Sequence, residues 1–233
     1  MVYNCLKKLR SILYPSRCRL CLAPGRSARE LCDDCHAELP WLNHTCPGCA
    51  LPLPADSAPG HCAQCQKRPP QLDHCAAVFA YRPPVDHWIQ AMKFNQDLTA
   101  ARLLGELLAE TATPDATAMP VSILPVPLHR RRLAQRGYNQ AREISRPLLE
   151  RGMALAEGRF VRRRATRAQS DLPARLRRTN IRGAFSVAGQ LEGRCILLID
   201  DVMTTGATLN ELARVLKRAG AARVEARVIA RTL

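Results

Sequence analysis

Eight cysteines of this 233-residue chain fall into four Cys-x-x-Cys pairs: Cys18/Cys21, Cys32/Cys35, Cys46/Cys49 and Cys62/Cys65. Such a pair sets two thiolates on one side of a tight turn. Two pairs complete a tetrahedral Zn²⁺ site with Zn–S bonds of about 2.3 Å. A segment built this way folds around metal rather than around a large apolar core. Gaps of 10 and 12 residues separate the members of successive pairs, which suits compact ribbons. The simplest assignment gives one structural zinc to Cys18, Cys21, Cys32 and Cys35, and a second to Cys46, Cys49, Cys62 and Cys65. An interleaved pairing satisfies the same spacing. One such motif would suit a redox dithiol, but four in succession favour metal. His36, His44, His61 and His74 lie nearby, and four thiolates per site leave them outside the ligand sets. Cys195 opens an apolar run and reads as a small core residue.

The cysteine segment is rich in proline and poor in helical periodicity, and Lys67-Arg-Pro-Pro70 marks its end. Two domains are therefore expected: a metal module over residues 1–70 and a second domain over 71–233. In the second, Cys75–Tyr81, Val121–Val126, Phe160–Arg163, Ala184–Val187, Arg194–Ile199 and Arg223–Ala230 read as strands. Val85–Glu110 reads as one or two helices broken near Asn95–Asp97, and Tyr138–Glu150 as a helix that Pro147 kinks or stops. Strands alternating with helices indicate an α/β fold, a parallel sheet with helices on both faces.

Residues 196–208, Ile-Leu-Leu-Ile-Asp-Asp-Val-Met-Thr-Thr-Gly-Ala-Thr, carry the most functional information. An apolar strand ends in two carboxylates, a hydroxyl-rich turn follows, and Leu209–Ala219 has a helical apolar stripe. Backbone N–H groups from Met203 to Thr208, at the start of that helix, make an anion site. Thr204, Thr205 and Thr208 add hydroxyl donors, and Gly206 lets the backbone approach closely. Asp200 and Asp201 repel a phosphate, but they suit ribose hydroxyls or the water shell of Mg²⁺.

The formal net charge is +15. From His129 to Arg182 there are sixteen arginines, no lysine and four acids, an excess of twelve. Pyrophosphate, phosphorylated sugars and nucleic acid are natural partners of such a surface. Arg162, Arg163 and Arg164 are candidate polyanion contacts on it. Tyr138 is the single aromatic among these arginines before Phe160, which is thin for a base-stacking platform. No apolar run approaches the roughly 20 residues that span a bilayer, so integral membrane association is not expected. Residues 1–17 read as a short amphipathic helix with no signal-peptide core, so a cytoplasmic location is expected.

The 196–208 run closely resembles the signature of the type I phosphoribosyltransferases that binds 5-phosphoribosyl-1-pyrophosphate (PRPP). Three further segments extend the likeness: Pro125–Gln140 with its Arg136-Gly-Tyr-Asn-Gln140, the Gln169, Leu172, Arg177 and Asn180 pattern, and Gly183-Ala-Phe185. Together with the four cysteine pairs, they resemble the ComF/GntX family of phosphoribosyltransferase-like proteins over nearly the whole chain. The resemblance implies a type I phosphoribosyltransferase core with an N-terminal double zinc ribbon. It places the ribose on Asp200 and Asp201, and the 5-phosphate on the loop Val202, Met203, Thr204, Thr205, Gly206, Ala207 and Thr208. By the same likeness, the loop His129–Gly137, with Arg130 and Arg136, meets the pyrophosphate. The mobile catalytic loop then corresponds to Arg164–Asn180, which carries Gln169 and Arg177. Lys93 is a further candidate anion contact.

The expected chemistry is Mg²⁺-assisted displacement of pyrophosphate from C1 of PRPP by an acceptor the sequence does not name. Asp200, Asp201, Arg136 and Arg177 are the candidate catalytic residues. In some family members the resemblance also implies a link to uptake of transforming DNA and to DNA-uptake proteins. The rival reading is a non-catalytic protein that binds single-stranded nucleic acid and keeps a PRPP pocket as sensor or relic.

Overall fold

The apolar run after Arg194 forms the central strand of a parallel sheet in the computed structural model, which describes residues 16–26, 29–111, 121–164 and 181–233. This strand, β6 (Cys195–Met203), pairs on one side with β2 (Val121–Pro125) and on the other with β7 (Arg223–Arg231). Beyond β7 lies β1 (His74–Ala80), and beyond β2 lies the two-residue β3 (Ala154–Leu155). The order is β1-β7-β6-β2-β3, with every pairing parallel.

Strand alternation divides the core into two faces. Ile196 and Leu198 point with Val224, Ala226 and Val228 toward α7 (Ala207–Arg218), whose Leu209, Leu212, Ala213 and Leu216 join the same cluster. Cys195, Leu197 and Ile199 alternate with them and are also buried. That opposite face carries α4 (Leu98–Thr111) and α6 (Gln140–Glu150), which pack on each other. The expected break falls between α3 (Val85–Phe94) and α4. Pro147 does not stop α6, which runs on to Glu150. Its ring lies against Gly105 of α4, where an added Cβ would meet the Ile144 carbonyl at 2.5 Å and the Pro147 ring at 3.0 Å. The helix pair closes tightly where the proline sits.

The strands near the arginine-rich stretch do not join the sheet. β4 (Arg159–Arg162) and β5 (Phe185–Ala188) pair antiparallel with each other. The segment His129–Gly137, expected as a loop, holds a helix instead, α5 (Arg130–Arg136). His129 caps it by accepting from the Arg131 N–H at 3.3 Å, and Gly137 closes it at φ +82°. A helix of strongly basic residues persists because both ends are capped.

The chain forms two compact units, Met1–Pro40 and Trp41–Leu233. Compactness thus places the last two Cys-x-x-Cys pairs in the same unit as the sheet. There Leu42 donates to the Val78 carbonyl at 2.9 Å and Cys75 to the Pro47 carbonyl at 2.7 Å. The Trp41 and Phe79 rings lie 4.6 Å apart, and Ala50 is fully buried in the core cluster shared with α7. The smaller unit holds α1 (Asp33–Ala37), whose N-terminus is capped by the Cys32 sulfur, at 3.5 Å from the Cys35 nitrogen. Among the described residues, no helix is long and apolar enough to cross a membrane.

Candidate functional site

The strand β6 carries Asp200 and Asp201 within its last four residues, at the C-terminal edge of the sheet, where open α/β sheets bind ligands. The two adjacent carboxylates both reach one cavity but are held differently. The Asp200 Oδ1 accepts the Asp201 N–H at 2.9 Å. Asp201 is 5% exposed, and its Oδ1 lies 2.9 Å from the Lys93 ammonium on α3. Its Oδ2 is buried with no hydrogen-bond partner. A buried carboxylate oxygen left in this state costs about 1–3 kcal/mol or more unless a ligand satisfies it. Burial, then the charge of Asp201, pushes the Asp200 carboxyl up to about 7, while Lys93 and Arg162 pull against that rise.

These groups open into a cavity of about 750 Å³. Its acidic end is Asp200 and Asp201, and its basic side is Lys93, Arg132, Arg136 and Arg162. Val202, Met203, Thr204, Gly206 and Thr208 form the loop side. Gly206 stands at φ +71°, a torsion that favours glycine, and the Met203 methyl lies 2.4 Å from where a Cβ would be. The loop then enters α7, with the Asn210 amide donating to the Gly206 carbonyl at 3.0 Å.

Most of the expected residues meet here, with exceptions. Arg130 is exposed and outside the cavity lining. Arg132 and Arg136, one turn apart on α5, occupy the wall instead. Thr205 and Ala207 line a neighbouring groove of about 920 Å³, alongside Arg68, Arg182 and Arg214. Gln169, Leu172, Arg177 and Asn180 lie outside the described residues. Asn139 proves to be structural: its Oδ1 caps α6 at the Ala141 N–H, and its Nδ2 donates to the Val126 carbonyl.

Arg162 requires a correction. Expected with Arg163 and Arg164 on a solvated polyanion surface, it is 7% exposed, lines the cavity and stands 5.6 Å over the Phe185 ring. Alternation along β4 turns it inward, and the ring and the acidic end of the cavity compensate its burial. Sequence reasoning also missed Arg132, and it read Gln140 only as part of the Arg136–Gln140 motif. Gln140 is 5% exposed, with its Oε1 lacking a hydrogen-bond partner.

The eight knuckle cysteines gather in sequence order. Cys18, Cys21, Cys32 and Cys35 form one group and Cys46, Cys49, Cys62 and Cys65 another, with the ligand atoms of each within 4.8 Å of one another. Four sulfurs about 2.3 Å from one tetrahedral ion lie about 3.8 Å apart. The Cys21–Cys32 and Cys49–Cys62 sulfur pairs are at 3.6 and 3.7 Å. Both tetrads therefore fit structural zinc, and the pairing is sequential rather than interleaved.

Comparison with known proteins agrees with this geometry. Residues 9–66 match the family model of a double zinc ribbon domain, and residues 133–232 that of a phosphoribosyl transferase domain. The DNA utilization protein YhgH of Salmonella typhimurium is 34% identical over 225 residues, covering 94% of this chain and 98% of that protein. Competence protein F of Haemophilus influenzae is 33% identical over 228 residues, covering 92% and 96%. Competence protein ComFC of Streptococcus pneumoniae is 27% identical over 200 residues, covering 82% and 83%. Identity of this extent, over a parallel sheet with two cysteine tetrads, shows that the chain belongs to the ComF/GntX family of phosphoribosyltransferase-like proteins.

Proposed function

We propose that the chain binds PRPP with Mg²⁺ in the cavity at the end of β6 and displaces pyrophosphate from C1. The observation that carries this reading is the Asp200–Asp201 pair sharing one cavity with four cationic side chains, with a buried Asp201 oxygen left without a partner. A ligand with hydroxyls at its centre and phosphates at both ends matches that layout.

In this reading Asp200 and Asp201 accept hydrogen bonds from the ribose hydroxyls and fix the ring. The amides of Met203 to Thr208 and the threonine hydroxyls hold the 5-phosphate at the start of α7. As the C1–O bond breaks, its electron pair leaves with pyrophosphate, and the ribose gains oxocarbenium character until the acceptor's lone pair forms the new bond. Arg132, Arg136 and Arg162 stabilise the charge that gathers on the leaving group, with Arg177 a further candidate. Mg²⁺, when bound, neutralises part of the same charge. Lys93, 2.9 Å from the Asp201 Oδ1, aims that carboxylate before the ligand arrives.

The names of the relatives support a role in handling DNA, and the basic surface supports contact with single-stranded DNA and uptake proteins. Thiolate-bound zinc supports a reducing, cytoplasmic setting. Calorimetry of the zinc-loaded chain with PRPP and Mg²⁺ tests the core of the reading. Saturable binding that Asp200→Asn/Asp201→Asn removes is expected, and no binding by the wild-type chain would refute it.

A further inference from the structure

The strand β7 ends in Arg231, whose guanidinium is 6% exposed at a junction of three segments. Its Nε donates to the Cys49 carbonyl at 2.8 Å. Its Nη1 donates to the Met203 carbonyl at 3.1 Å, and also to the Thr204 and Thr232 carbonyls. One side chain thus joins a knuckle of the second tetrad to the first residues of the phosphate loop. A parallel link runs through Cys75. Its N–H donates to the Pro47 carbonyl within the same knuckle, and its sulfur lies 3.4 Å from the Met203 sulfur. The Met203 methyl in turn fills the space beside Gly206.

A buried guanidinium is stable where opposite charge lies near. The hydrogen bonds above reach only carbonyls. A zinc ion on four thiolates carries two net negative charges, and Cys49 supplies both one of those thiolates and the carbonyl that Arg231 grips. We infer that Arg231 is a positioning residue coupling zinc in the second tetrad to phosphate binding at the Met203–Thr208 loop. The ligand part of this inference rests on the PRPP reading above. Coupling is reciprocal: whatever factor zinc adds to PRPP affinity, PRPP adds to zinc affinity at the second tetrad.

The test uses the full-length chain. Competition with a chromophoric chelator reads zinc affinity with and without Mg²⁺ and PRPP, and Cys18→Ser identifies the second tetrad's ion. PRPP should tighten that ion by about tenfold, within the usual range of coupling energies. Arg231→Lys keeps the charge but is too short a fork to hold both partners. It should remove most of that factor while still binding zinc. PRPP that binds the wild-type chain yet leaves the second zinc's affinity unchanged, or a factor undiminished in Arg231→Lys, overturns the inference.

A ligand-free readout covers the case in which PRPP fails to bind, which would refute the functional reading alone. On stripping the second zinc, amide hydrogen exchange should accelerate at residues 203–208 well before it does in β6 or α7. Exchange unchanged at the loop, or protection lost throughout residues 121–233, overturns the inference, because the tetrad would then ignore the loop or merely staple the whole unit.

Discussion

The two cysteine tetrads share ligands and spacing but stand in different company. Around the first, within Met1–Pro40, the backbone closes on itself: Cys18 donates to the Ala23 carbonyl at 2.7 Å, and Leu22 to the Cys18 carbonyl at 3.0 Å. Its apolar burial is slight, with Leu31 and Leu39 the largest buried aliphatics described there. Its ion pairs, such as the exposed Arg26–Asp33 contact at 2.7 Å, contribute about 0–1 kcal/mol each. The second tetrad is built into the sheet's own core through Trp41, Ala50, Cys75 and Arg231. Identical metal chemistry thus closes a small unit in one place and, in the other, ties into the sheet's core and, through Arg231, to the Met203 and Thr204 carbonyls. What differs is the residues each knuckle touches.

Losing a ligand should therefore have unequal consequences, and this is the largest effect expected. Structural zinc contributes about 10–16 kcal/mol of apparent binding energy to such folds, as much as a domain's whole stability. Cys46→Ser should lower the melting temperature of the larger unit and abolish PRPP binding. Cys18→Ser should make the first 40 residues sensitive to protease and leave the main melting transition in place. Thermal unfolding by near-ultraviolet circular dichroism, with limited proteolysis, reads both. Equal losses in the two variants would erase the distinction.

The next effect separates ligand chemistry from metal chemistry inside the larger unit. Asp200→Asn/Asp201→Asn removes two charged acceptors, each worth about 1.5–3 kcal/mol, so PRPP affinity should fall by at least about a hundredfold. Zinc content should remain two per chain. If metal is lost together with affinity, the site and the second tetrad are one folding unit rather than two coupled parts.

Acid should then weaken PRPP binding without touching the first tetrad's unit. Desolvation, then the charge of Asp201, pushes the Asp200 carboxyl up to about 7. A folded value raised above the unfolded one means that the folded chain holds this proton more tightly. Its contribution to stability is present below the usual carboxylate range and is lost as pH rises toward 7. Ligand binding runs the other way, because the ribose hydroxyls need the ionised carboxylate. Affinity should rise with pH and level off above 7, with one proton released per PRPP bound below that. Asp201→Asn removes a neighbouring charge and should move the midpoint to lower pH. Isothermal titration in two buffers of different ionisation enthalpy measures the proton directly.

Much of this was legible in the chain and some was not, for physical reasons. The parallel sheet, the α3–α4 break and the strand–turn–helix of 196–208 follow from local periodicity, whereas the cysteine spacing allowed the sequential tetrads without choosing them over an interleaved pairing. Leu209, Leu212, Ala213 and Leu216 show this well: their helical stripe is the face buried under the sheet. The junctions were hidden, because they depend on partners far apart in sequence. Arg231 meets Cys49 across 182 positions and Lys93 meets Asp201 across more than a hundred. Arg162 is chemically indistinguishable from Arg163 and Arg164, and only the pairing of β4 with β5 turns it inward. Arg132 was within reach. Reading His129–Gly137 as a helix would have placed Arg132 and Arg136 one turn apart on a single face.

That last point gives the smallest effect and the finest test of how a basic surface divides. Arg130 and Arg132 are near neighbours on α5, equal in charge, yet only Arg132 lines the cavity. If general basicity holds the pyrophosphate, Arg130→Gln and Arg132→Gln should weaken PRPP equally and more at low salt. If position decides, Arg132→Gln should cost about 1.5–3 kcal/mol, a charge-assisted hydrogen bond's worth, or roughly ten- to a hundredfold in affinity. Arg130→Gln should then stay within about twofold, because an exposed charge outside the cavity lining is largely screened by solvent and salt. The same pair sharpens the comparison of the tetrads, since neither arginine belongs to a cysteine cluster. Zinc affinity at both tetrads should be unchanged in each variant without PRPP, and the PRPP-induced tightening of the second zinc should survive in Arg132→Gln once ligand is saturating. A tightening lost there would mean that the leaving-group end of the ligand, rather than the 5-phosphate loop held by Arg231, carries the signal to the metal.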